Sequence, residues 1–249
     1  MGHVAKGGMQ PLTERQHGLS SALTGPIREA LDYVEAMVAL APPRSVLLFG
    51  GRRVGRVWSD AEYDPDHPER GGGLGYVFDN GREVKGVAAR ATEGDLRELL
   101  PRKQQIGQLE ALAPYVAMVH EGRAMTAMDL WWGVDNTSAE AALVRGYSTK
   151  ADTASIVAAV HIACAQRDVR IYYFHVDSDS NPSDGLSRDG VRDEWTVQAA
   201  KRLGWHLEDI GLAALDGLST KPLRDLVAAF GSSADIGNRD GDIGRSGPA

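Results

Sequence analysis

Four carboxylates in this 249-residue chain occupy positions from which they could act together. Asp60 closes VGRVWSD, which reads as a strand ending in an acid. Glu110 sits in IGQLEALA, on a stretch with helical spacing of Ile106, Leu109, Leu112, Val116 and Val119. Asp135 ends MDLWWGVD, a second strand finishing in an acid, and Asp184 lies in NPSDGLSR, which has helix-start character. Carboxylates that converge repel one another, and at least one must hold its proton unless a cation intervenes. Hard oxygen ligands suit Mg²⁺ or Mn²⁺. Two such ions about 4 Å apart can activate a water and stabilise the leaving oxygen in phosphodiester cleavage. Each acid also has a plain reading. Asp60 can face water at a strand end, Glu110 can lie on the wet side of its helix, and Asp135 can introduce the next helix. Asp184 can sit in the first turn of a helix capped by Asn181 and opened by Pro182, where the dipole favours an acid. Spacing alone leaves both readings open.

The elements that must position these groups follow from pattern. A helix is predicted over Pro26–Ala39, ended by Pro42-Pro43, and then a short apolar run over Ser45–Phe49. The first 24 residues are polar and rich in Gly and Ser, and read as poorly ordered. After the first strand, EYDPDHPERGGG reads as an acidic surface loop. LGYVFDNGREVKGVAARA reads as a hairpin, with the tight turn at Asp79-Asn80-Gly81. A helix over about Gln104–His120 carries Pro114, expected to kink it. TSAEAALVRG is a helix with Thr137 and Glu140 at capping-box spacing. ADTASIVAAVHIACAQRD is a long amphipathic helix, and VRIYYFHV is an aromatic strand. One or two short helices are expected from about Glu208, and the stretch after Ser232 reads as disordered. The order strand, strand, strand, helix, strand, helix, helix, strand, helix predicts an α/β fold, a mixed sheet with helices on its faces. If the first and fourth strands are neighbours, Asp60 and Asp135 lie side by side, near strand ends where ligands gather in such sheets.

Composition narrows the function. With 27 Lys and Arg against 34 Asp and Glu, the net charge is −7, so a generally basic nucleic-acid coat is excluded and any phosphate-binding groove must be local. The single cysteine, Cys164, excludes a disulfide scaffold and a Cys-rich zinc site; on the apolar face of its helix it reads as a small buried hydrophobe. No apolar run approaches the ~18 residues a membrane span needs. MGHVAKGGMQ has no apolar signal core, which predicts an intracellular protein, nuclear or cytoplasmic.

The segments VWSDAEY, IGQLEALA, WWGVDNTSAEAALVRGYS and FHVDSDSNPSDGLSR resemble, in order and in local wording, the ribonuclease H domain of retroelement reverse transcriptases, above all those of DIRS-type and related tyrosine-recombinase elements. DNTSAEAALVRG and NPSDGLSR carry most of the resemblance, which spans Val54 to Arg188. It implies a ribonuclease H-like mixed five-stranded sheet flanked by helices. It also implies a metal-dependent endonuclease that cuts the RNA strand of RNA–DNA hybrids, leaving a 3′-hydroxyl and a 5′-phosphate. By the same resemblance Asp60, Glu110, Asp135 and Asp184 are the catalytic metal-binding acids for two Mg²⁺ or Mn²⁺ ions. Asp60 and Asp135 would hold both ions, Glu110 the one on the ribose side and Asp184 the one that activates water.

Substrate contacts are expected from Asn136, Thr137, Arg145, Asn181 and Arg188, with Lys150 another candidate for backbone phosphates. Asn136 and Thr137 could meet the 2′-hydroxyl by which RNA is told from DNA. Of Trp131 and Trp132, adjacent in a strand, one should be core and the other partly exposed. His175 at a strand end reads as structural. The chain departs from the family pattern in its longer, acidic loop after Asp60, with Glu62, Asp64 and Asp66, and in the lack of a His in DSDSNPS. No Tyr-x-Asp-Asp polymerase motif occurs, which leaves a reverse transcriptase polymerase domain as a partner. The expected division is a flexible N-terminus with a connector helix over 1–52, the ribonuclease H-like domain over 53–206, and short helices with a tail over 207–249. Two other functions fit parts of the pattern: a four-acid 3′–5′ exonuclease, for which Asp60-Ala61-Glu62 resembles the opening Asp-x-Glu, and a non-catalytic domain that binds nucleic acid or protein.

Overall fold

The computed structural model describes residues 9–16, 22–40, 51–97, 99 and 105–212. The apolar run over Ser45–Phe49 and the tail after Ser232 lie outside the described residues. Helix α2 (Gly25–Leu40) forms where Pro26 and the apolar spacing predict it. Before it, α1 (Met9–Gln16) forms within the stretch expected to be poorly ordered; residues 1–8 and 17–21 of that stretch lie outside the described residues. It packs on α2, and the Arg15 guanidinium donates to the Ala22 carbonyl at 2.9 Å, tying the two helices end to end.

The core is built on β1 (Arg53–Tyr63), β2 (Gly72–Asp79) and β3 (Val84–Ala91), an antiparallel meander. Strand β1 runs on past Asp60 to Tyr63 instead of ending there. The acidic loop, with one 3₁₀ turn at Pro68–Arg70, is largely exposed as expected. The β2–β3 turn uses the predicted residues: Asp79 accepts from the Gly81 N–H at 2.8 Å, Gly81 has φ +81°, and Asn80 accepts from the N–H groups of Arg82 and Glu83. Helices α3 (Glu93–Arg97), α4 (Ile106–His120) and α5 (Gly122–Met125) follow. Then come β4 (Met128–Val134), α6 (Thr137–Arg145), α7 (Ala151–Gln166) and β5 (Arg170–His175), with β4 parallel to β1 and to β5. The chain closes with α8 (Asp184–Arg188), α9 (Glu194–Leu203) and β6 (His206–Ile210).

The strand order is β5-β4-β1-β2-β3-β6. This is a mixed sheet with helices on its faces, as expected, with six strands in place of five. The sixth, β6, lies parallel to β3 where short helices were expected from Glu208. It supplies partners to an edge of β3 that would otherwise present unpaired N–H and C=O groups. Because β6 starts at His206, the sheet also crosses the boundary drawn between residues 206 and 207.

Helices cover the sheet on both sides, and alternation along β2 fixes which side is which. A side chain at Gly72 would strike Leu109 of α4; one at Gly73 or Gly75 would strike the backbone of the Ser183–Ser187 segment. Helix α4 packs on β1 and β2 and against α6 and α7, so all residues from Gln108 to Met118 are buried. The predicted one-sided face was too narrow: Ala111, Ala113, Tyr115 and Ala117 are buried as well, as befits a helix apolar nearly all round. The helix remains continuous through Pro114. Far from the acids, Arg52 donates to Asp129 at 2.6 Å and to Asp168 at 2.7 Å, joining the start of β1 to β4 and to the turn before β5.

Candidate metal centre

The register carries the first two acids together. Ser59 pairs with Val134 across the parallel β1–β4 ladder, so Asp60 and Asp135 are the next residues on adjoining strands. Glu110 comes to them from the first turns of α4, buried at 4% exposure. Asp60, Glu110 and Asp135 each offer a carboxylate oxygen, and the three oxygens lie within 4.8 Å of one another. Asp184, at the start of α8, borders the same open cleft of about 370 Å³ together with Glu62 and Arg188. It is half-buried and paired with Arg188 at 2.7 Å. The four predicted acids thus face one cleft, three as a tight group and the fourth at its rim. Asp64 and Asp66 stay in the outer loop, where Asp64 accepts from the Asp66 N–H.

Electrostatics follow from this crowding. Burial pushes Glu110 up to about 10; the charges of Asp60 and Asp135 add to the rise, and the Ala61 N–H opposes it. Burial also raises the Asp60 carboxyl, against a hydrogen bond from Ser187, while Asp135 and Asp184 raise it further. Asp184 is raised by burial and by Asp135, with Arg188 pulling the other way. Two buried oxygens in the group, Glu110 Oε2 and Asp135 Oδ1, have no hydrogen-bond partner among the described residues. Converging hard oxygens with lone pairs to spare are the donor set that Mg²⁺ and Mn²⁺ require. The residues present therefore fit the group.

Local structure explains why each acid points inward. Asn136, not Thr137, caps α6: its side chain accepts from the N–H groups of Ser138 and Ala139, which turns the chain sharply after Asp135. Ser178 donates to Asp135 Oδ2 at 2.9 Å. Asn181 is buried with both ends of its amide engaged, donating to the Ser59 carbonyl at 3.2 Å and accepting from Ser183. Ser183, not Asn181, precedes the first residue of α8, so Asp184 opens that helix. Ser187 donates to Asp60 Oδ2 and is also 2.8 Å from the Asp184 carbonyl oxygen. Bare Gly73 and Gly75 let this whole segment lie directly on β2.

The remaining predicted contacts spread outward. Arg188 is on the cleft rim, Thr137 is exposed just beyond Asp135, and Arg145 is exposed at the far end of α6. Lys150 is exposed before α7. Trp132 is buried and donates to Ser59 at 2.9 Å, while Trp131 is 53% exposed beside Tyr172. His175 stands 3.8 Å from Glu140, and Cys164 is buried. Ser178 and Ser187 were missed by sequence reasoning; the only sequence signal for Ser187 was its place in NPSDGLSR.

Among solved structures, the chain shows a distant similarity to one from an archaeon. It is the crystal structure of RNase H1 from the halophilic archaeon Halobacterium salinarum NRC-1, at 17% identity and a TM-score of 0.40, over 56% of this chain and 98% of that one. No family model matches the chain. No curated protein matches it either. Among the described residues no helix is long and apolar enough to cross a membrane.

Proposed function

We propose that this chain is a ribonuclease H-type nuclease of retroelement origin that uses Mg²⁺ or Mn²⁺ to hydrolyse the RNA strand of RNA–DNA hybrids. The observation that carries the reading is the convergence of Asp60, Glu110 and Asp135 within 4.8 Å, with carboxylate oxygens left unpartnered. The sequence words around these acids and around Asp184 give the reading its substrate class. Asp60, Glu110, Asp135 and Asp184 would hold two ions. When bound, such ions supply a hydroxide nucleophile and stabilise the leaving oxygen.

The protein's own part is to hold these acids in place. Asn136 fixes the exit from β4, Ser178 steadies the Asp135 carboxylate, and Arg188 occupies the rim where a phosphate chain would approach. Asn136 and Asn181 are spent largely on the backbone, so substrate contact at the cleft falls to Thr137 and Arg188, with Arg145 further out. The place of Glu110 inside the group favours this reading over a 3′–5′ exonuclease opening on Asp60-Ala61-Glu62, in which Glu110 would have no task. A reverse transcriptase polymerase domain is the proposed partner.

The test is cleavage of a labelled RNA–DNA hybrid with Mg²⁺ or Mn²⁺. The expected result is internal cleavage of the RNA, including in a circular hybrid, and loss of about 10³-fold or more in rate on Asp135→Asn, the scale at which an essential catalytic group acts. Unchanged cleavage in Asp135→Asn would remove the mechanism. An intact circular hybrid beside a degraded linear one would favour the exonuclease. Mn²⁺ binding with no cleavage at all would favour a binding domain.

A further inference from the structure

Ser187 stands apart from the other buried polar groups near the site because its one hydroxyl proton has two acceptors. One is Asp60 Oδ2 on β1; the other is the Asp184 carbonyl of its own helix, 2.8 Å away. Ser187 is 1% exposed, so its hydroxyl needs a partner. The carbonyl three residues back already supplies one. The bond to Asp60 is therefore not needed to satisfy the serine, and its effect falls on the acid.

That effect has two parts. The bond holds the Asp60 carboxylate in one orientation. It also indexes α8 against β1, because Ser187 and Asp184 are one helical turn apart on the same short helix. A second tie, from Asn181 to the Ser59 carbonyl, fixes the other end of the segment at the residue next to Asp60. The close seat of this segment on β2 depends on Gly75, where a Cβ would come within 2.6 Å of the Ser187 nitrogen and 2.7 Å of the Ser183 oxygen.

We propose that Ser187 is a positioning residue for the metal centre. Its hydroxyl keeps Asp60 aimed into the cradle and sets the spacing between Asp60 and Asp184. A carboxylate has lone pairs on both oxygens, so Asp60 can keep the bond from Ser187 on Oδ2 while it holds a cation. This inference rests on the reading of the four acids as a metal centre.

The experiment is Mn²⁺ titration of the full-length protein without nucleic acid, followed by electron paramagnetic resonance of free Mn²⁺, on wild type, Ser187→Ala, Ser187→Cys and Ser187→Thr. Far-UV circular dichroism and thermal melting of each metal-free protein check folding. Loss of an outer partner to a metal ligand weakens affinity about 10–100-fold, so that weakening is expected in Ser187→Ala and in the near-isosteric Ser187→Cys. Ser187→Thr, which keeps the hydroxyl, is expected to recover most of the affinity. Wild-type Mn²⁺ affinity in a folded Ser187→Ala or Ser187→Cys protein overturns the role of Ser187 while leaving the metal centre standing. Absence of saturable Mn²⁺ binding in the wild type overturns the metal centre itself, and this inference with it.

Discussion

Replacing Glu110 by Gln should stabilise the metal-free protein while destroying its response to metal. Glu110 is buried between two other acids, and its carboxyl is raised from 4.5 to about 10. In metal-free protein at pH 7 it must therefore take up a proton on folding. Each pH unit above the unfolded value adds about 1.4 kcal/mol to that penalty, which makes about 3 kcal/mol at pH 7. The sign follows from the direction of the shift: the folded state binds the extra proton, so the penalty vanishes near pH 4 and grows as pH rises toward the folded value. Glutamine carries no such charge. Its amide oxygen can accept from the Ala61 N–H in place of the carboxylate, and its NH₂ can donate to Asp60 or Asp135. A gain of up to about 3 kcal/mol corresponds to a rise in Tm of about 6–12 °C for a chain of this size. The assay is differential scanning calorimetry in a chelator at pH 4 and pH 7, then at pH 7 with Mn²⁺. Glu110→Gln should melt higher than wild type at pH 7, melt equally at pH 4, and lose most of the Mn²⁺-induced rise. A variant less stable than wild type at pH 7, or one stabilised equally at both pH values, would refute the argument from repelling buried carboxylates.

Two further outcomes follow from the same geometry. The Tm rise that Mn²⁺ gives the wild type should be larger at pH 8 than at pH 5.5, because protons raised onto Glu110 and Asp60 compete with the cation; scans at the two pH values check this, and an equal rise would count against it. Gly75→Ala should push α8 off β2, lowering stability by about 1–3 kcal/mol and weakening Mn²⁺ binding together with it; urea melts and Mn²⁺ titration read the two effects, and a full-strength metal site in this variant would show that the glycine seat is not needed.

The nearness of Asp60 and Asp135 was legible in the order of the elements, even though β1 runs on past Asp60 and Glu110 lies inside a helix. Placing β1 beside β4 was enough to put Asp60 against Asp135. What stayed hidden were the ties that cross the chain. Nothing local marks Ser187 as a donor to a residue 127 positions earlier, or Asn181 as a donor to a carbonyl 122 positions earlier. Asn181 therefore read as a cap or a substrate contact. The cap of α6 was misplaced by one residue because Thr137 and Glu140 mimic a capping box, while Asn136 accepts from two N–H groups and wins. Helix α9 was missed although Asp193 caps it at Thr196 and Gly204 closes it with φ +73°. Strand β6 reads HLEDI, too short and polar to declare itself; its pairing with β3 is a property of the edge it covers.

The long reach of the Asn181 and Ser187 ties also governs when the site can come into being. A nascent chain leaves the ribosome from its N-terminus, and contacts this distant in sequence form late. Asp60, Glu110 and Asp135 emerge well before their fourth companion and its anchoring serine. A polypeptide halted before residue 181 would hold three acids and no means of indexing the last. The group of four acids with its anchoring serine is thereby incomplete until synthesis has passed nearly the whole sheet.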